Sequence, residues 1–296
     1  MNMKIRFQVS GFRFSVPHRN RRPVEIPAAI VNRKSQIVNG FTLLELLVVI
    51  AILGILAALT VPALKNLGKS NIQVSAGRQL LDDIGHARAL AISQHTTVYM
   101  VFVPAVFWTA LSPVVQALPA TTNLLDKQFT GYNFISLRSV GDQPGQYTPR
   151  YLAEWKSLPD GAFIATQKFY TSYSVNDYSG GSSIPTATYP INQFNFTNGF
   201  PFPSENIAAP VLSLPYIAFN YLGQLTVDGL NLAPQDEYIP LAQGTVAYAT
   251  DANKMLIFQP PNATENPPGN STNSMFDIIH IDKVTGRANQ LQQKLP

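Results

Sequence analysis

The chain has 296 residues, of which 46% are hydrophobic and 13% charged, and it contains no cysteine, which excludes disulfides, thiolate metal sites and a cysteine nucleophile. Residues 1–40 carry eight basic side chains and one acidic side chain, whereas the rest of the chain carries 13 basic and 16 acidic side chains. The sequence pI of about 9.2 is therefore a property of the N-terminal segment, and it does not indicate nucleic-acid binding by the remainder.

A long apolar run follows the basic segment. Residues 39–64 read NGFTLLELLVVIAILGILAALTVPAL, and Glu45 is the one charged residue between Phe41 and Leu64. As a helix, this run is about 36 Å long, which is enough to cross a hydrocarbon core of roughly 30 Å. The positive-inside rule keeps residues 1–40 in the cytoplasm and sends the C-terminal part outward. The run is too long for a secretory signal peptide, so a plain membrane anchor is the simplest interpretation.

A more specific interpretation comes from Gly40-Phe41-Thr42-Leu43-Leu44-Glu45, which resembles the processing site of type IV prepilins and type II secretion pseudopilins. In that family, prepilin peptidase cuts after the glycine, removes the basic leader and methylates the new N-terminal amine. The resemblance implies that Gly40 ends the leader, that Phe41 is the mature N-terminus, and that Glu45 is the assembly glutamate that pairs with this amine. A glycine also suits a cleavage site physically, because a residue without Cβ lets the backbone approach a protease closely.

Gly54 and Pro62 also lie where pilin helices often carry a glycine and a proline. A proline inside a helix removes a backbone hydrogen bond and clashes with the preceding turn. We therefore expect a kink or a locally melted turn near Leu59–Pro62.

Beyond Pro62 the helical pattern resumes, with Leu80, Ile84, Ala87 and Ala91 on one face. The pattern predicts one helix from Phe41 to about Ser93. Residues 41–64 are its transmembrane or filament-core part, and residues 65–95 are an amphipathic continuation. We expect the apolar stripe to pack on the protein's own sheet, and a coiled-coil partner helix is the alternative.

From Thr96 the sequence is rich in short β-branched and aromatic runs, which predict a globular β-rich domain over residues 96–296. The candidate strands are Thr96–Val103, Tyr132–Leu137, Ala162–Ala165, Tyr216–Tyr221, Gln224–Val227, Gly244–Ala249, Lys254–Gln259 and Phe276–Ile281. Asp277–Leu291 predicts a hairpin with Gly286 in its turn. The expected fold class is α+β and pilin-like, with a long N-terminal helix, membrane-spanning in its first half, packed on an antiparallel sheet.

Four segments in order, Arg78–Gln94, Trp155–Ile164, Ile217–Leu225 and Thr285–Arg287, resemble the minor pseudopilins of the GspH/FimT type. Residues 172–210 and 259–274 carry few charges and no core pattern, so they predict long surface loops. The first of these loops is rich in Tyr and Phe. Its rings form either a lid over the core, which we favour, or a binding surface.

No pattern in the sequence predicts catalysis, so we expect no enzyme activity, no catalytic residue and no cofactor. The histidines lack zinc-ligand spacing, and nucleotide-binding motifs are missing. Asp82-Asp83 is interpreted as a solvated helix face rather than an acid–base pair. Asp228 with Asn231, and Asp251 with Asn253, are weak calcium candidates because neither pair matches a defined calcium-binding loop. We therefore predict no metal ligand.

The sequence thus predicts a structural minor subunit of a type IV pilus-like or type II secretion pseudopilus filament. Its expected location is the inner membrane, as a single-pass protein whose C-terminal domain is periplasmic, or extracellular after assembly. The expected partners are prepilin peptidase, other pilin or pseudopilin subunits and the inner membrane, and nucleic acid is disfavoured. The alternatives are a DNA-uptake or adhesive minor pilin that binds a ligand, and an uncleaved membrane-anchored β-domain. Lys283, Arg287 and Lys294 form the one basic cluster that favours DNA.

Overall fold

The computed structural model describes residues 42–139, 141–143, 146–169, 191–205, 209–272 and 276–293, and the side chains of 59–71, 276 and 293 are outside the description. The chain divides into two units, Met1–Gly54 and Ile55–Pro296. Among the described residues, no helix combines the length and the apolar character needed to cross a membrane.

One long helix, α1, covers Leu43–Gln94. The sequence prediction of a single helix from Phe41 to about Ser93 is confirmed, with ends that differ by at most two residues. The helix continues through Pro62, and the kink expected there stays a prediction. α1 ends at Gln94, and the next residue, His95, has a positive φ of 49° that turns the chain toward the first strand.

The rest of the described chain is mainly strands with a few short helices. The strands are β1 Val98–Phe102, β2 Gly131–Ser136, β3 Arg150–Tyr151, β4 Lys156–Ser157, β5 Ala162–Ile164, β6 Gly199–Pro201, β7 Val211–Ser213, β8 Tyr216–Phe219, β9 Leu225–Thr226, β10 Glu237–Ala247, β11 Asn262–Glu265, β12 Phe276–Ile281 and β13 Ala288–Gln293. The short helices are α2 Pro113–Gln116, α3 Pro119–Thr122 and the 3-10 turns Phe107–Ala110, Leu125–Lys127 and Thr166–Phe169.

The strands form antiparallel sheets. Within the described residues, the first sheet has the order β3-β2-β1-β8-β9, with β4 also paired to β2. The second sheet has the order β11-β10-β12-β13, with β5 also paired to β10, and β6 pairs with β7 alone. The predicted α+β class with an antiparallel sheet is therefore confirmed, and the strands are divided between two large sheets rather than one.

The apolar stripe of α1 packs against these sheets. Leu80, Ile84, Ala87 and Ala91 have no exposed surface and belong to a core that includes residues of both large sheets. A helix whose apolar face is already covered by its own domain offers nothing there to a second helix. The coiled-coil alternative for this stripe is therefore excluded.

β1 is buried on both faces, which explains its uninterrupted apolar sequence. Val98 and Met100 join the core beneath α1, while Tyr99 and Val101 join a second core on the opposite side of the sheet. Phe200 and Phe202, from the segment predicted as an aromatic loop, also lie in the second core with no exposed surface. The lid interpretation is therefore correct for these two rings. Four tyrosines of the same segment lie outside the described residues: Tyr170, Tyr173, Tyr178 and Tyr189.

The strand prediction is wrong around Lys254–Gln259. This apolar stretch forms a single bridge, between Thr250 and Leu256, and Met255 in it is 66% exposed. The neighbouring strand is instead β11, which lies inside the predicted loop 259–274. β11 pairs through its backbone with the second half of β10 and has partly or fully exposed side chains. An edge strand of this kind needs no apolar alternation, so the sequence does not signal it.

Candidate functional site

The first turn of α1 is closed by a reciprocal pair of side chains, Thr42 and Glu45. Thr42 Oγ1 accepts a hydrogen bond from the backbone N–H of Glu45 at 3.2 Å. In return, Glu45 Oε2 accepts hydrogen bonds from the backbone N–H of Thr42 at 2.8 Å and from Thr42 Oγ1 at 2.9 Å. This is a capping box, with Thr42 at the N-cap position and Glu45 three residues later. It supplies partners for N–H groups that the start of a helix leaves unpaired.

The capping box joins Glu45 to Thr42, the second residue after the predicted cleavage point. Gly40 and Phe41 lie outside the described residues. The pairing of Glu45 with the amine of Phe41 therefore stays a prediction. Thr42 was not among the predicted site residues, although the spacing Thr-x-x-Glu was a readable signal.

The first half of α1 exposes apolar side chains on all of its sides. Every described side chain from residue 42 to residue 58 is exposed. The exposed fraction is 82% for Leu43, 59% for Leu46 and 63% for Ile55. A Cβ placed on Gly54 would meet no atom within 4 Å. A helix that is apolar all round is usually buried, so this much exposed apolar surface is unusual for a helix in water.

The acidic pair of α1 is not a uniformly solvated face, which corrects the sequence interpretation. Asp82 is exposed, whereas Asp83 is 7% exposed. Asp83 Oδ2 accepts a hydrogen bond from the Tyr132 hydroxyl at 2.6 Å, and Asp83 Oδ1 lies 2.5 Å from Lys156 Nζ. Burial and the bond to Asp83 raise the pKa of Tyr132. The cluster links α1 to β2 and β4, and this role is structural.

A second buried ion pair joins Lys168 to Glu237. Lys168 has no exposed surface, and its Nζ also donates to the backbone carbonyl of Asn192. The same Nζ lies 4.9 Å from the centroid of the Phe194 ring. Burial lowers the pKa of Lys168 and raises the pKa of Glu237, while the attraction between the two charges opposes both shifts. The pair ties the turn Thr166–Phe169 to β10.

The two calcium candidates use their carboxylates to close local turns. Asp228 Oδ1 accepts the backbone N–H groups of Leu230 and Asn231 at 2.9 and 2.8 Å. Asp251 Oδ1 accepts those of Asn253 and Met255, both at 2.8 Å. In the part of the chain that is described, no group of three or more His, Asp or Glu residues is arranged to hold a metal ion.

The basic residues near the C-terminus have separate surroundings. Lys283 Nζ donates to the carbonyl of Pro234 at 2.7 Å, and Arg287 is exposed. Lys294 lies outside the described residues. The described part of this cluster thus consists of one exposed arginine and one lysine that is hydrogen-bonded to a backbone carbonyl.

Comparison with known proteins gives one match. Residues 37–61 match the prokaryotic N-terminal methylation motif. No curated protein and no solved structure matches the chain. The matched residues include Gly40, Phe41 and Glu45, and they end one residue before Pro62. The chain therefore carries the N-terminal methylation motif that is the signature of type IV prepilins and pseudopilins.

Proposed function

We propose that this protein is a structural minor subunit of a type IV pilus-like or type II secretion pseudopilus filament. The observation that carries the proposal is the methylation motif over residues 37–61. Prepilin peptidase cuts after Gly40, removes the basic leader, and leaves Phe41 as the methylated first residue. The proposed role is assembly with other subunits rather than catalysis.

The exposed apolar half of α1 supports this role. Burial of apolar surface contributes about 25 cal/mol per Å², so the leucine and isoleucine side chains exposed between residues 43 and 56 favour any apolar environment over water. In the proposal the inner membrane provides that environment before assembly, with residues 41–64 as a single span and the C-terminal domain on the far side. The helices of neighbouring subunits replace the lipid in the filament.

Glu45 has a defined position in this scheme. A carboxylate in apolar surroundings is costly unless a charge or hydrogen bonds compensate it. The capping box holds Glu45 Oε2 at the Phe41–Thr42 peptide, so a new amine on Phe41, of the same or a neighbouring subunit, provides the missing positive charge. Because desolvation offsets much of the attraction within such a pair, the pair sets the register of the helices more than it adds stability.

The N-terminus of the mature protein tests the proposal. The full chain is produced together with a prepilin peptidase and analysed by mass spectrometry, and we expect a product that begins with N-methyl-Phe41. Gly40→Val blocks cleavage, because a β-branched side chain restricts the backbone and hinders its approach to the protease. Asn39→Val is the matched control and leaves cleavage intact. An unprocessed wild-type chain would instead support the uncleaved membrane-anchored β-domain.

A further inference from the structure

A polar cavity of about 290 Å³ lies where α1 ends against the first sheet. Its lining residues are Gln94, Ser136, Arg138, Ser139, Arg150, Tyr151 and Leu152. Gln94 is the last residue of α1, and Arg150 on β3 is paired directly with Ser136 on β2. Arg138 lies two residues beyond the end of β2, so two exposed arginines, one after β2 and one on β3, contribute to the lining of a single cavity. Its volume is at the lower limit of small-molecule sites, which begin at roughly 300 Å³.

These two positive charges lack a carboxylate partner. In the described ranges, neither Arg138 nor Arg150 has a carboxylate oxygen within 4.0 Å of its guanidinium. Asp142 is near enough to feel the charge of Arg138. However, its oxygens already accept hydrogen bonds from Ser139 and Thr148. Two arginines and no carboxylate are among the lining residues, so the cavity has a net positive lining, with Asp142 close to the Arg138 side.

The acidic residue beside β3 is also engaged. The Glu205 carboxylate accepts the backbone N–H of Tyr151 at 2.9 Å, on the outer edge of that strand. The Tyr151 hydroxyl donates to the Pro201 carbonyl at 2.8 Å, which fixes the position of its ring. The β3 wall of the cavity is therefore held in place by hydrogen bonds that do not involve either guanidinium. Such a preorganised site loses little side-chain freedom when it binds a ligand.

We propose that this cavity binds the oxyanion group, a carboxylate or a phosphate, of a small polar molecule such as an acidic sugar. An arginine presents a planar fork of N–H donors that matches the two oxygens of a carboxylate or phosphate. Ser139 Oγ donates to the Thr148 carbonyl, so its lone pairs stay available to accept a hydrogen bond from a sugar hydroxyl. The Gln94 amide offers both a donor and an acceptor at the same cavity. The site adds small-ligand recognition to a protein whose proposed role is structural.

Isothermal titration calorimetry of the full chain in a non-ionic detergent tests the site. The probes are glucuronate, glucose 6-phosphate and, as the neutral control, glucose, all at one ionic strength. We expect at least one of the two anions to bind with a stoichiometry of one and glucose to give no signal. Arg138→Gln and Arg150→Gln each weaken binding about ten-fold or more, because each removes charge-assisted hydrogen bonds. The anion that binds more tightly shows whether the site favours a carboxylate or a phosphate.

Arg287→Gln is the matched control, because it removes the same charge from an exposed arginine outside the cavity. It leaves the dissociation constant within about two-fold of the unsubstituted chain, since distant exposed charges are screened by salt. Thermal unfolding of each variant confirms that the fold is retained. Three results would overturn the proposal: no binding of either anion, equal binding of glucose, or an effect of Arg287→Gln as large as that of the cavity substitutions.

Discussion

Two adjacent aspartates of α1 show how the surroundings of a residue decide its role. Asp82 is exposed, whereas Asp83 faces the first sheet, where it accepts the Tyr132 hydroxyl and pairs with Lys156. The helical period places Asp83 beside the apolar stripe, three residues after Leu80, but it does not name the partners that Asp83 meets there. The partner Lys156 is 73 positions away along the chain, and only the folded sheet brings it to α1. For this reason the buried ion pairs could not be predicted, whereas the local Thr42–Glu45 spacing could.

Asp83→Ala should lower the free energy of unfolding by about 1–3 kcal/mol, because it leaves a buried hydroxyl and a charge without their acceptor. The loss stays at or below the bottom of the range of about 3–5 kcal/mol for broken buried pairs, since the Lys156 side chain is 40% exposed and regains water. Asp82→Ala is the control and should change stability by no more than about 0.5 kcal/mol. Denaturant unfolding of the full chain, followed by tryptophan fluorescence, measures both. Equal effects of the two substitutions would show that Asp83 is not an anchor.

The lowered pKa of Asp228 predicts that the stability of the fold depends on pH. Hydrogen bonds from the backbone of Asn231 and Leu230 lower the pKa of Asp228 from 3.8 to about 2. A carboxyl group whose pKa is lower in the folded state stabilises the fold above its unfolded pKa, and this contribution is lost as the pH falls through the folded pKa. The loss therefore occurs between about pH 4 and pH 2.

Asp228→Asn should be less stable than the unsubstituted chain at pH 7, and the difference should shrink as the pH falls from 4 to 2. Asp82→Asn serves as the control for the loss of one negative charge, because Asp82 is exposed on α1. Thermal unfolding midpoints measured across this pH range test the prediction. A constant difference between the Asp228 variant and the unsubstituted chain would contradict the assignment.

Secondary-structure elements were predictable where apolar periodicity is strong and local. α1 and β12 follow their predicted bounds closely, because burial in α1 repeats at the helical period and β12 is a short run with three isoleucines, all of them buried. β10 begins at Glu237, although the prediction began at Gly244. Its first half contains Pro240, a residue that usually argues against a strand inside a sheet. β11 was missed because an edge strand pairs through its backbone and needs few apolar side chains.

The packing of α1 on the sheets predicts unequal effects for two isoleucines of the same helix. Ile84 has no exposed surface, whereas Ile92 is 36% exposed. Ile84→Ala should cost about 2–5 kcal/mol, because it removes buried methyl groups and leaves a cavity between α1 and the strands. Ile92→Ala, with the same change of side chain, should cost less than about 1 kcal/mol. Denaturant midpoints of the two variants decide the point, and similar losses would mean that α1 does not dock through the Ile84 face.

The molecule as a whole combines two different kinds of surface along α1. From residue 42 to residue 58 every described side chain is exposed and most are apolar, whereas Ala76, Leu80, Ile84, Ala87 and Ala91 face the protein's own core. One apolar face is therefore buried in the second part of the helix, while the described apolar side chains of the first part are exposed. The methylation motif covers the first part.

The negative charge of Glu45 and its role in the capping box can be tested separately. Glu45→Gln keeps an oxygen acceptor for the Thr42 N–H, since glutamine also completes a capping box, but it removes the negative charge. Thr42→Ala does the opposite, because it keeps the charge and weakens the helix start by about 1 kcal/mol. If the charge pairs with the amine of Phe41, Glu45→Gln abolishes incorporation into filaments, while Thr42→Ala retains most of it. Membrane fractionation shows that both variants still insert, and mass spectrometry shows that both are still processed. Loss of assembly in the Thr42 variant alone would assign the role to the cap rather than to the charge.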